Sequence, residues 1–205
     1  MLVSYLILAF LWLAYFTIHS LLASHKVKKY FEKRIGDTFR YYRLVYNFIA
    51  IIGLLGILFY NAIISSHVLL PPNWLPIVKF IGLTLAIWGV LVLRLAFKRY
   101  SLNEFLGITQ ARNEAITDEK LQTGGILQYV RHPIYSGTLL LIWGFWLFSP
   151  TLAHLISMVC ISVYVWIGMR LEEAKLIATF GDTYHQYKKN VPALIPSWRA
   201  LRKIF

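Results

Sequence analysis

Hydrophobic and polar residues follow one another along this chain in long blocks rather than in short periods. Three stretches carry no charged side chain: residues 1–24, 44–78 and 132–169. The hydrocarbon core of a bilayer is crossed by about 20 apolar helical residues, whereas a buried helix of a soluble protein seldom has more than about 14. The three stretches therefore predict membrane-spanning helices.

Proline marks where these stretches are divided into spans. The first three predicted spans cover residues 2–24, 43–64 and 74–97, with a turn at Pro71-Pro72-Asn73. The stretch 132–169 is too long for one helix. Pro150 is expected to split it into a hairpin of two spans, because proline cannot continue a helix. The total is about five spans.

Beyond the last span, the helix is predicted to leave the membrane near Arg170, and Asp182 is predicted to cap a short helix that reaches Lys189. The fold class is an all-α integral membrane protein, a bundle of about five transmembrane helices. Residues 1–205 form one membrane domain, with three spans in 1–97 and a loop, a helical hairpin and a tail in 98–205. The first span lacks the basic start of a cleaved signal peptide, so we expect it to be retained.

Composition agrees with a membrane protein. Hydrophobic residues make up 58% of the 205 positions and charged residues 15%, against about 25% charged residues in soluble domains. The net charge of +12 falls mainly in alternate connections, around residues 26–43, 98–131 and 175–203. This is the positive-inside pattern, which predicts the N-terminus outside and the C-terminus in the cytoplasm. The charge therefore indicates the lipid bilayer as partner and no nucleic acid.

Two clusters of polar residues lie at the ends of predicted membrane helices. The first, residues 128–137, places His132 near the start of a helix, where free backbone N–H groups attract an anion. Tyr129 and Tyr135 offer aromatic faces to a cation, and Gly137 permits close approach of a ligand or a helix. The alternative is that Arg131 and His132 are interface anchors and that the tyrosines belong to an aromatic belt.

The second cluster is Arg170, Glu172 and Glu173. Acidic residues at a cytoplasmic membrane boundary are not explained by the positive-inside pattern. The alternative is pairing on one helix surface, since Glu173 lies three residues after Arg170 and Glu172 three before Lys175. Both clusters flank the predicted hairpin, so they are expected at the same membrane face. Together they complement a zwitterionic ligand that carries a cation.

These motifs resemble a known superfamily. The runs Arg131-His132-Pro133-Ile134-Tyr135-Ser136-Gly137 and Arg170-Leu171-Glu172-Glu173, followed by Phe180-Gly181 and the tyrosines at 184 and 187, are similar to the isoprenylcysteine carboxyl methyltransferase superfamily, which includes phospholipid methyltransferases. The similarity covers residues 101–198. Residues 19–24, 42–47 and 105–110 resemble the branch of methanethiol S-methyltransferases and NnrU-type proteins.

The resemblance implies binding of S-adenosylmethionine in a cytoplasmic pocket over the helical bundle. The residues implied to line the cofactor are Tyr129, His132, Pro133, Tyr135 and Gly137. Glu172 or Glu173 would hold the ammonium or ribose of the cofactor, and Arg170 would face the cofactor or the acceptor. The implied acceptor is a small thiol, an isoprenylcysteine carboxylate or another lipophilic molecule.

A thiol acceptor raises the question of a base. A free thiol has a pKa well above 7 and needs a base or stabilisation of its thiolate, whereas a carboxylate needs neither. The candidate bases are His19, His132 and His154. His19, near the cytoplasmic end of the first span, could reach the site, and its alternative role is a hydrogen bond between helices. A rival function is a non-catalytic membrane protein, such as a sensor or accessory, that keeps the methyltransferase fold.

Overall fold

The computed structural model describes residues 1–114 and 120–197, which form α-helices and no β-strand. Three short 3-10 helices join them at Gly36–Tyr41, Pro72–Trp74 and Gly125–Gln128. The α-helices are α1 Leu2–Ala23, α2 His25–Ile35, α3 Tyr42–Ile63, α4 Leu75–Phe97, α5 Leu102–Leu106, α6 Ile108–Ala111, α7 Pro133–Phe148, α8 Leu152–Phe180 and α9 Asp182–Asn190.

The helices confirm an all-α, multi-pass membrane protein. Four apolar segments are long enough to cross a bilayer, and they contain α1, α3, α4 and α8. The two helices predicted on either side of Pro150 are present as α7 and α8. At 16 residues, α7 is about 24 Å long, shorter than a hydrocarbon core of about 30 Å. The count of five spans therefore stays a prediction.

Several local boundaries differ from the sequence expectations. The helix α2 was not predicted; Ser24 caps it by accepting the Val27 N–H, and it ends at Gly36 with a positive φ of 52°. The long polar connection contains α5 and α6. Gly181 rather than Asp182 occupies the N-cap of α9, so the carboxylate of Asp182 lies in the first turn. The helix α8 continues without a break to Phe180.

The described residues fall into two compact units, each treated by itself. The first contains residues 1–67, 100–114 and 151–160, so it holds α1, α3 and the start of α8. Buried polar groups join these helices: Ser157 Oγ accepts from Trp12 Nε1 at 2.8 Å and from Asn61 Nδ2 at 2.6 Å. Hydrogen bonds of this kind between helices contribute to the choice of which helix faces meet.

In the same unit, the segment after Tyr100 is attached to the start of α3. Asn47 Nδ2 donates to the carbonyl oxygens of Phe105 and Leu106 at 3.2 and 2.9 Å. Gly107 has a φ of +93° and lies against Arg43, where a Cβ would come within 2.8 Å of the arginine Cβ. Two of the sequence motifs, residues 42–47 and 105–110, are therefore neighbours in the fold.

The second unit contains residues 68–99, 120–150 and 161–197. Its helices α4 and α7 meet along four glycines, Gly82 and Gly89 on α4 and Gly137 and Gly144 on α7. A Cβ on Gly144 would lie 2.6 Å from the Gly82 carbonyl oxygen, and one on Gly137 would lie 3.0 Å from that of Gly89. The two backbones are in contact, which only glycine allows. We call this contact the glycine seam.

Candidate functional site

The site is built around the first residues of α7, as the sequence predicts. His132 is the N-cap residue, and Pro133 occupies the first turn, where its missing N–H costs nothing. The tail that follows α9 runs beside them. The Arg131 N–H donates to the Pro192 carbonyl at 2.9 Å, and the His132 N–H donates to that of Ala193 at 3.0 Å.

These bonds show how the chain just before α7 is held. The backbone N–H groups of Arg131 and His132 are both accepted by tail carbonyls, so neither of these two is free for an anion. Ser136 Oγ adds a third bond, to the Leu194 carbonyl at 2.7 Å. Regular structure ends at Val191-Pro192, and the chain there bonds to the residues at the start of α7.

A buried ion pair links α7 to α8. Arg131 Nη2 lies 2.5 Å from Glu173 Oε1, with the two side chains only 7% and 8% exposed. The other guanidinium nitrogen, Nη1, donates to the carbonyls of Lys188 and Val191. Because these partners come from α8, α9 and the tail, one arginine fixes three segments.

Glu173 has two further polar neighbours. Lys188 Nζ lies 2.6 Å from its Oε2, and His132 Nε2 lies 3.2 Å from its Oε1. Buried carboxylates persist where cations and hydrogen-bond donors replace lost water. Both oxygens of Glu173 are therefore occupied by the protein. We call Arg131, His132, Glu173 and Lys188 the four-residue cluster.

Helix-surface pairing within α8, the alternative for Glu173, is not what is observed. Its partners come from other segments, while the Arg170 guanidinium lies 5.4 Å from the ring centre of Trp166 and is exposed. The interface-anchor alternative for Arg131 and His132 also does not describe them, since both side chains are at least nine-tenths buried.

Glu172 differs from Glu173 in its surroundings. Its side chain is 45% exposed, and its Oε2 lies 3.8 Å from His132 Nδ1. The His132 ring stacks on Tyr135, with ring centres 5.5 Å apart and an interplanar angle of 23°. A partly exposed carboxylate thus lies beside a buried imidazole that is stacked on a tyrosine. This combination offers both charge and an aromatic face to a cation.

Tyr184 lies beside the four-residue cluster and is 1% exposed. Burial, and then the negative charge of Glu173, raise the pKa of its hydroxyl to about 12. The phenol therefore stays protonated at neutral pH and does not serve as a base. Tyr187, one turn later, donates to the Leu127 carbonyl at 2.5 Å.

The other residues predicted for the site lie outside the four-residue cluster. Tyr129 is half-buried just before the cluster, and Pro133 is buried in the first turn of α7. Gly137 lies in the glycine seam against α4. His19 is in the first unit, where its ring stacks on Tyr15 and meets the edge of Tyr46. The cluster and Tyr135 are in the second unit.

Sequence reasoning missed Lys188 and the tail carbonyls as parts of the site. The available signal was the tail pattern itself. Two tyrosines and a lysine follow Gly181 at helical spacing, and Val191-Pro192 comes immediately after them.

Comparison with known proteins places these residues in a family. The sequence model of the phospholipid methyltransferase family matches residues 77–183, just over half of the chain. The chain belongs to this family. The match includes α7 with the RHPIYSG motif and both glutamates of α8. It thereby confirms the resemblance predicted from the motifs.

Curated relatives of this family member are methyltransferases by name. Methanethiol S-methyltransferase 1 of Bradyrhizobium diazoefficiens is 37% identical over 102 residues, 47% of this chain and 34% of the relative. Methanethiol S-methyltransferase of Pseudomonas deceptionensis is 35% identical over 118 residues, 55% and 43% of the two chains. Protein-S-isoprenylcysteine O-methyltransferase of Schizosaccharomyces pombe is 41% identical over 83 residues, 38% and 34%.

The chain spans 34–43% of the length of these relatives. No solved structure matches it.

Proposed function

We propose that this protein is an S-adenosylmethionine-dependent membrane methyltransferase that acts on a small thiol, an isoprenylcysteine carboxylate or another lipophilic acceptor. The observation that carries the proposal is the partly exposed Glu172 carboxylate beside the buried His132–Tyr135 stack. A cofactor with a sulfonium and an ammonium group suits a carboxylate and aromatic faces. Membership of a methyltransferase family supports the same reaction.

The residues have separate roles in this proposal. Glu172, whose side chain is 45% exposed, accepts from the cofactor's ammonium or ribose. Tyr129, Pro133 and Tyr135 line the cofactor. Glu173 holds His132 and Arg131 in position, and Gly137 supports the same wall from the glycine seam.

The backbone N–H groups of Arg131 and His132 bond to the tail, so the cofactor's carboxylate needs other donors. The exposed guanidinium of Arg170 is our candidate for the carboxylate or for the acceptor. When bound, S-adenosylmethionine supplies a methyl group already activated on sulfur, so the protein mainly aligns the displacement and excludes water. For a thiol acceptor, His19 is the proposed base.

Cofactor binding is tested directly with His132→Ala and Tyr135→Ala. We expect each variant to bind S-adenosylmethionine roughly tenfold more weakly, because each removes one ring from the stack that faces the cation. Isothermal calorimetry on the purified protein measures this affinity. It also separates the enzyme from a non-catalytic relative that has lost the cofactor.

Exposed positions supply the controls for this measurement. His185→Ala and Tyr30→Ala remove the same two side chains at sites that are exposed, and both should bind like the parent. If His132→Ala and Tyr135→Ala keep both the parent's affinity for S-adenosylmethionine and its melting temperature, the motif at residues 131–137 does not bind the cofactor and its role is structural.

The proposed orientation has the N-terminus outside and the C-terminus in the cytoplasm. In a Cys160→Ala background, single cysteines at Ser66 and Lys120 should react with an impermeant thiol reagent from opposite sides of sealed vesicles. The reason is the basic character of alternate connections. Reaction of both cysteines from one side would refute this topology.

A further inference from the structure

A cavity in the first unit is not used by the proposed cofactor site. It lies between α1 and α3 and has a volume of about 220 Å³. No charged side chain lines it. The lining on α1 runs from Leu11 to Leu22, and on α3 from Tyr46 to Ile57. Each run covers three helical turns, so the cavity is about 16 Å long and parallel to the helices.

Three small residues lie near the middle of the cavity. Ala14 and Ala50 line its middle with Gly53, and a Cβ on Gly53 would meet the Tyr15 ring at 3.1 Å. Larger apolar side chains at these positions would fill the space, as they do in a close-packed helix pair. The cavity is thus a long apolar slot between two helices that are long enough to span a membrane, and a single hydrocarbon chain is an occupant of matching shape and polarity.

The two ends of the slot differ in polarity. At one end the rings of His19 and Tyr46 meet edge to face, with their centres 6.1 Å apart. The other end, at Leu11 and Ile57, is apolar. A chain with one polar head matches this gradient, with its head at His19 and its tail toward Leu11. A molecule as small as methanethiol has no use for a slot of this length.

We propose that the slot between α1 and α3 binds the hydrocarbon chain of the methyl acceptor, so that the acceptor is a single-chain amphiphile. This inference rests on the proposed methyltransferase function and selects the lipophilic class among its acceptors. It also gives His19 a defined neighbour, the polar head of the acceptor. Ile18 and Ile49 line the slot and are 52% and 47% exposed, so the slot reaches the surface of the helix pair.

Methyl transfer to thiols of increasing length tests the slot. The protein in nanodiscs is given ethanethiol or dodecanethiol, and kcat/KM is compared with that of Ala14→Leu and Ala50→Leu, which fill the slot. For dodecanethiol we expect kcat/KM to fall at least tenfold, since each methylene withdrawn from apolar contact costs about fourfold. For ethanethiol it should change less than twofold.

Ala62→Leu is the matched control, because it adds the same side chain at an exposed position of α3. It should leave both thiols unaffected. Comparing variants at each chain length cancels the partition of dodecanethiol into the nanodisc. If kcat/KM fell equally for the two thiols, or did not fall for dodecanethiol, the proposed binding of the acceptor chain in the slot would be refuted.

A photolabel separates failure of the slot from failure of the proposed function. A dodecyl thiol with a diazirine on its chain should label Leu11, Ala14 and Ala50 even without methyl transfer. Dodecanethiol should displace it, and Ala50→Leu should lose the label. Labelling spread over outward residues such as Phe10 and Phe48 would overturn the slot. So would a phospholipid diazirine that labels the slot and is not displaced by dodecanethiol.

Discussion

Replacing Glu173 with glutamine is expected to lower the stability of the folded protein by about 3–5 kcal/mol, the usual cost of removing one partner from a buried ion pair. Oε1 accepts from Arg131 and lies 3.2 Å from His132 Nε2, and Oε2 lies 2.6 Å from Lys188 Nζ. The glutamine amide presents one oxygen and no charge. The guanidinium of Arg131, only 7% exposed, would lose its counter-charge.

Glu172→Gln is the matched control for this experiment, one residue away on the same helix. Its side chain is 45% exposed, so we expect little change in melting temperature. If Glu172 accepts from the cofactor's ammonium, its affinity for S-adenosylmethionine should instead fall about ten- to a hundredfold, the range for a charge-assisted hydrogen bond.

Melting curves and cofactor titrations on both variants separate the two carboxylates. The expected pattern is a large loss of stability in Glu173→Gln and a loss of affinity without loss of stability in Glu172→Gln. A Glu173→Gln protein that melts like the parent but no longer binds would give Glu173 the cofactor contact. Two variants that bind like the parent would refute both carboxylates as cofactor ligands.

The sequence predicted the parts of the fold that depend on composition along the chain. Uncharged length located the helices α1 and α3, and the turn at Pro71-Pro72-Asn73 located the start of α4, each to within about two residues. Pro150 located the break between α7 and α8. The helix α2 was missed because seven basic residues between Lys26 and Arg43 were interpreted as topological charge. Its sequence signal was modest, a serine N-cap at Ser24 and a glycine at its end.

The sequence singled out most residues of the candidate site, but not Lys188 and not the pairings between the residues. His132, Tyr135 and both glutamates were identified from motif spacing. Which carboxylate would be buried depends on which face of α8 meets α7 and α9, and two adjacent glutamates give no such information. The same limit applies to the α7 N-terminus. The segment Pro192 to Leu194 supplies the carbonyl partners from about 60 residues further along the chain.

The glycine seam gives the second large effect. Gly144→Ala and Gly82→Ala are each expected to destabilise the protein by about 3 kcal/mol, at the upper end for overpacking. The new Cβ at position 144 would lie 2.6 Å from the Ala86 nitrogen and the Gly82 oxygen, and the one at position 82 would lie 2.6 Å from the Gly144 oxygen. These are backbone atoms of a facing helix, so no side chain can rotate away. The helices would have to separate.

Gly56→Ala is the control for the seam, because a Cβ at position 56 would meet nothing within 4 Å. There the substitution should leave stability unchanged or raise it by up to about 1 kcal/mol, since alanine favours helix over glycine. The same Gly→Ala substitution is therefore expected to lower the stability at the seam but not at position 56. Thermal unfolding in a fixed detergent, followed by size-exclusion chromatography, measures both. Similar melting temperatures for Gly144→Ala and Gly56→Ala would contradict direct backbone contact between α4 and α7.

Because α7 begins with the His132–Tyr135 stack, a seam variant that still folds should also bind S-adenosylmethionine more weakly than the Gly56→Ala control.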